Sequence, residues 1–84
     1  MPYDYSDPRR TELDQMLAGL PPRRELAYRM ALSGLSEHCR GDARWRRRVE
    51  ELSDMMADEG VDVAELLVEA ARVRQEILAK AMVG

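Results

Sequence analysis

The sequence predicts an all-α fold, a small dimeric bundle of three to four helices at about residues 8–19, 22–40, 43–59 and 63–82. Three observations predict it. Apolar residues recur at steps of three and four, which gathers them on one side of a 3.6-residue helix. Prolines 8 and 22 stand at expected first helical positions, where a missing N–H is harmless. Cap and stop signals, among them Asp42, Gly60 and Asp62, divide one apolar stripe from the next.

The opening MPYDYSD, with two Tyr, two Asp and one Pro, has no apolar period and predicts a flexible arm over 1–6. A single helical domain over 7–84 follows. Its first helix takes Asp7 as N-cap and Pro8 as first residue, and carries Leu13, Met16, Leu17 and Leu20 as one stripe. Pro21 forbids its continuation. The second helix is predicted to be broadly apolar, with Leu26, Ala27, Met30, Ala31, Leu35 and His38 along one side and Tyr28, Leu32 and Cys39 beside them. Ala27, Ala31 and Gly34 would let a neighbouring helix approach closely. Gly41 is read as its left-handed stop and Asp42 as the next N-cap.

The third helix sets Trp45, Val49, Leu52 and Met56 at spacings 4, 3, 4, a short heptad seam, and ends at Gly60. The fourth has the fullest start signal. Asp62 and Glu65 form a capping box, and Val61 and Leu66 a hydrophobic staple. Val63, Leu66, Ala70, Val73 and Ile77 then make its seam, flanked by Leu67, Ala71, Leu78 and Met82. At about 1.5 Å per residue this helix spans about 30 Å, and an apolar face that wide predicts more than one neighbour. The second and fourth helices are expected at the centre.

Composition bounds the rest. An 84-residue chain has a thin core, built here without Phe, from Leu, Val, Ala, Ile and six Met. One cysteine cannot form an internal disulfide, no leader pattern opens the chain, and no apolar run approaches the roughly eighteen residues of a membrane span. These features predict a cytoplasmic protein with no membrane contact. Twelve of the thirteen basic residues are Arg, whose GC-rich codons suggest a bacterial or phage source.

The net charge of −3 hides a segregation. Residues 23–48 hold eight Arg against three acids, whereas residues 49–84 hold nine acids against three basic residues. The stretch RGDARWRRRVEELSDMMADEG, residues 40–60, repeats this within one helix: basic start, acidic end. Both ends oppose the helix dipole, each charge costing up to about 0.3–1 kcal/mol at low salt. Pairs Arg46–Glu50 and Arg47–Glu51 would offer partial relief, in the less favourable order for an i, i+4 pair. A fourth helix folded back on the third would set like charge beside like charge.

A local rule broken in this way points to an interaction surface. The predicted function is therefore that of a small protein-binding regulator, whether adaptor, chaperone-like protein or inhibitor, that lays helix surfaces on a larger protein. The partner-binding residues are Arg44, Trp45, Arg47 and Arg48 at the basic end and Met55, Asp58 and Glu59 at the acidic end. A homodimer would pack two third helices antiparallel, Arg44–Arg48 against Asp54–Glu59. Two alternatives stand beside it. The segment 40–48 would bind nucleic acid through Arg–phosphate contacts and Trp45 stacking, although the chain is acidic overall. Alternatively, the acids over 50–69 would mimic nucleic acid, as a phage or plasmid inhibitor does.

Catalysis is not expected. His38 and Cys39 are adjacent on a helix and so do not face each other. No second Cys or His completes a metal site, no Gly-rich phosphate loop occurs, and no cofactor is implied. LDQMLAGLPPRRELAYRMAL resembles the opening of region 4 of sigma factors, where LPPR precedes a helix. Their downstream recognition helix has no counterpart here, so the resemblance implies no activity.

Overall fold

The computed structural model describes residues 8–83, and every regular element among them is helical: α1 (Pro8–Ala18), α2 (Pro22–Leu35), α3 (Glu37–Gly41), α4 (Ala43–Asp58) and α5 (Val63–Val83). The expected arm over 1–6 and the Asp7 cap lie outside the described residues. Three of the four expected helices correspond to observed ones, α1, α4 and α5. The exception is the helix expected over 22–40, which is broken.

The break falls at Ser36, whose backbone is extended (φ −133°, ψ 119°). Its N–H still donates to the Leu32 carbonyl, closing α2, while its Oγ accepts from the Cys39 N–H at 3.4 Å, opening α3. Serine offers the backbone a local bond that competes with the helical one, and that competition ends the helix. The turn sends Cys39 back against Leu17 and Trp45.

α2 alone is the centre. α1, α3, α4 and α5 all pack on it, and among the described residues α3 also lies close along α4. Its broad stripe explains this. Leu26 meets Leu52 and Met56 of α4 and Leu66 of α5. Ala27 and Ala31, small enough for close approach, take Val73 of α5 between them. The long α5 lies along α2, and its Leu66 joins the core cluster of Leu26, Leu52 and Met56 that α2 shares with α4.

Asp42 caps α4 as expected, its Oδ1 accepting from Arg44 N–H at 2.9 Å and Trp45 N–H at 3.3 Å. The same carboxylate at the helix start offsets part of the adverse Arg charge there. Gly60 ends α4 at φ +79°, with its own N–H bonded to the Ala57 carbonyl and the Val61 N–H to that of Met56, a Schellman closure. Gly60 is the only positive-φ glycine described, so the expectation of a left-handed Gly41 is corrected: Gly41 ends α3 and the extended Asp42 makes the turn. Gly34 faces open space and serves no close approach, contrary to expectation. Asp62 caps α5 through the Ala64 N–H, but Glu65 directs its carboxylate to Arg23, leaving the expected capping box half made.

Candidate functional site

The sequence picks out α4, and the structure shows how its charges are held. Its seam turns inward as expected: Trp45, Leu52 and Met56 are buried and Val49 half-buried. The Trp45 Nε1–H donates to Ser33 Oγ at 2.8 Å, and the Arg29 guanidinium lies 4.7 Å from the ring centre. Trp45 is 2 % exposed. The residue proposed to stack on a base or a partner therefore packs within its own chain.

Beside it lies a group of charges that the sequence reading missed. Glu25, on α2, is 1 % exposed, yet ionic. Arg48 reaches from α4 with Nε and Nη2 each 2.8 Å from one Glu25 oxygen, a two-pronged fork. Arg29 Nε donates to the same carboxylate at 2.8 Å and extends Nη1 to Asp14 of α1 at 3.4 Å. Arg48 also meets Glu51 at 3.4 Å. Burial would raise the Glu25 carboxyl, but hydrogen bonds from Arg48 and Arg29 outweigh it and hold the group below its ordinary value. The same partner holds Arg48 above its own. Three helices are thus joined by one chain of charge, Asp14–Arg29–Glu25–Arg48–Glu51.

A sequence signal for this existed. Glu25 is the one acid among Arg23, Arg24 and Arg29, sits beside the buried Leu26 and Ala27, and precedes Arg29 by four residues. What was not legible was that Arg48, twenty-three positions away, would complete it.

The residues assigned to partner binding do not form one site. Arg44, Trp45 and Arg48 line a cleft of about 350 Å³ with Asp14, Gln15, Ala18 and Arg29. Arg47 is exposed and does not line it. Met55, 41 % exposed, and the exposed Asp58 and Glu59 lie toward the other end of α4, about 20 Å along the helix at 1.5 Å per residue. The expected pairs Arg46–Glu50 and Arg47–Glu51 are not formed. Glu51 goes to Arg48, and Arg46 and Arg47 have no carboxylate at ion-pair distance among the described residues. The expected conflict of α4 with α5 is also absent, because the acids of α5 face α2: Arg23 pairs with Glu69 at 3.0 Å and Glu65 at 3.7 Å, and Arg24 with Glu76 at 3.7 Å.

A second shallow groove of about 350 Å³ lies between α2 and α4, lined by Ser33, Arg40, Trp45, Arg46, Val49 and Glu50. Cys39 is buried and the adjacent His38 exposed. The described residues hold no His, Cys, Asp and Glu cluster fit for a metal and no helix long and apolar enough to cross a membrane. Comparisons with protein-family models, curated proteins and solved structures find no match for this chain.

Proposed function

We propose that this protein is a small cytoplasmic regulator that acts by laying the outer face of α4 on a larger protein. A contrast in charge pairing carries the reading. Between helices the fold matches its charges, at Glu25 with Arg48 and at Arg23 and Arg24 with the acids of α5. Along the outside of α4, Arg47, Asp54 and Asp58 fall on one line at i, i+7 and i+11, exposed and without an ion-pair partner among the described residues. A fixed line with basic charge at one end and acidic charge at the other suits a partner with the reversed layout, and complementarity of this kind favours specificity and fast association.

The alternatives have less behind them. Nucleic-acid binding loses Trp45 as a stacking residue and keeps only the arginines. Acidic mimicry would draw on Glu65 and Glu69, both held by Arg23.

Arg47→Glu tests the reading, because Arg47 takes no part in the buried charge chain, unlike Arg48. Tagged wild-type protein recovered from its own host cells should retain a discrete protein that the variant, equally helical by circular dichroism, releases. A variant that retains the same partner undiminished overturns the α4 assignment. Binding of DNA or RNA oligonucleotides that falls steeply with salt and is lost on Arg46→Glu would move the face to nucleic acid.

A further inference from the structure

We propose that α1 is a lid: it lifts from α2 and Trp45 about a hinge at Gly19 and Leu20, while α2, α4 and α5 stay folded. Among the described residues α1 packs closely along α2 alone. Of its side chains from Glu12 to Ala18, Leu17 is buried, Leu13 and Asp14 are half-buried and the rest are exposed, Met16 at 64 %. α4, by contrast, buries Trp45, Leu52 and Met56, and α5 buries Leu66, Ala70 and Val73.

The core divides along the same line. Leu17 packs with Cys39 and Trp45, and Leu13, Leu20, Tyr28, Leu32 and Val49 surround them. The other two clusters, Leu26 with Leu52, Met56 and Leu66, and Ala27 with Ala31 and Val73, contain no residue of α1. Lifting α1 therefore dismantles one cluster and spares the two that join α2 to α4 and to α5. Segments held by few buried apolar contacts open at lower free energy than the whole fold.

The polar contacts let the open form keep its shape. An opening that stranded a buried ion would carry the full penalty of an unpaired charge. No charge is stranded here. Arg29 spans the boundary, with Nη1 3.4 Å from Asp14 of α1 and Nε 2.8 Å from Glu25 of its own helix. When α1 lifts, Arg29 loses Asp14 and keeps Glu25, which Arg48 still holds at 2.8 Å. Trp45 likewise keeps its bond to Ser33 and its place beside Arg29, both on α2. The Asp14 side chain, already 36 % exposed in the closed form, passes into water.

The connection suits the motion. α1 ends at Ala18, and Pro21, with φ −56° and ψ 147°, leads into α2. Between them the Gly19 N–H donates back to Gln15 and Met16, and the Leu20 N–H to Leu17, so these bonds travel with α1 and none ties the connection to α2. Gly19 has no side chain to restrict a change of backbone angle, and a hinge needs one or two such positions. Once open, Trp45 and Cys39 face solvent beside Tyr28 and Leu32, an apolar trough that the closed protein hides. This device is separate from the outer face of α4, so either proposal can fail alone.

Native-state hydrogen exchange of the full chain in low urea tests it. Amides of residues 12–18 should open about tenfold or more as often as those of 26–31, with weaker urea dependence, because a lid exposes less surface than global unfolding. Cys39, beneath Leu17, gives a second readout: its alkylation by N-ethylmaleimide should run ahead of global unfolding. Leu17→Ala should speed alkylation about thirtyfold or more, and Asp14→Asn, at a half-buried position of α1, about fivefold, with the amides of 26–31 still protected. Arg47→Glu should leave both readouts unchanged. One shared opening for residues 12–18 and 26–31, or alkylation no faster than global unfolding, overturns the proposal. So does alkylation quickened by Ser36→Ala, which loosens the start of α3, but not by Asp14→Asn, since the motion would then belong to α3.

Discussion

α2 holds its two long neighbours by different means. Toward α4 the seam combines large apolar side chains, Leu26 with Leu52 and Met56, with the buried carboxylate of Glu25 gripped by Arg29 and Arg48. Toward α5 it is built from small residues, Ala27 and Ala31 around Val73, and its ion pairs lie at the rim, with Arg23 and Arg24 each 43 % exposed. The first seam has a directional contact that only one placement of α4 satisfies. The second relies on close approach, which is tolerant of charge and intolerant of volume. Removing charge should therefore damage the α4 side, and adding methylenes the α5 side.

The largest effect is expected at Glu25. Glu25→Gln keeps the shape but leaves Arg29, 4 % exposed, with Asp14 at 3.4 Å as its remaining carboxylate. Breaking a buried pair from one side costs about 3–5 kcal/mol. A chain of this size holds about 4–13 kcal/mol in total, at roughly 0.05–0.15 per residue, so urea unfolding should show a quarter or more of the stability gone. The same carboxylate gives a pH signature. Its folded value is lowered, so its contribution is complete above the ordinary value of 4.5 and is lost as pH falls through the folded value. The wild type should lose stability in that acid window, and Glu25→Gln should lose this part of the acid dependence. An equal acid dependence in both proteins would deny Glu25 its place at the centre of the seam.

The two seams also differ in how far they could be read from the chain. Local signals were legible: Asp42 and Asp62 as caps, Gly60 as a stop, and the inward line Trp45–Leu52–Met56. Each depends on neighbours within one turn, where spacing determines geometry. The Ser36 break was not read, because a serine in an otherwise helical pattern is compatible with both outcomes until Cys39 finds Leu17 and Trp45 to pack on. Nor was the Glu25–Arg48 fork. Arg48 looked uncompensated because its partner comes from α2, and contact between residues far apart in the chain leaves no periodic trace. The candidate surface suffered for the same reason: Trp45 was grouped with Arg44, Arg47 and Arg48 by sequence position, and the fold buries Trp45, half-buries Arg48 and leaves Arg44 and Arg47 exposed.

On the α5 side the expected sensitivity is to size. Ala31 is 4 % exposed and lies against Val73, so Ala31→Leu adds volume where the two helices approach most closely. Overpacking of this kind costs about 1–3 kcal/mol, which a shift of the urea midpoint would show. Gly34→Ala is the control on the same helix. Its added methyl meets nothing within 4 Å, so it should stabilise α2 by up to about 1 kcal/mol. Destabilisation by both substitutions would indicate that α2 resists any change in this region, and the contrast between seams would lose its basis in close approach.

The smallest effect is expected where the α5 seam does use charge. Arg23 hydrogen-bonds Glu69 at 3.0 Å and approaches Glu65 at 3.7 Å, yet its side chain is 43 % exposed and that of Glu65 60 %. Water and salt screen such pairs, and holding long side chains in place costs entropy, so exposed ion pairs contribute about 0–1 kcal/mol. Arg23→Ala should fall in that range by urea denaturation and become indistinguishable from wild type as ionic strength rises. Glu25→Gln, at a carboxylate only 1 % exposed, should keep most of its cost at the same salt. If the two substitutions instead responded alike to salt, burial would not separate the seams, and the orientation of α4 would rest on Leu26, Leu52 and Met56 rather than on the Glu25 fork.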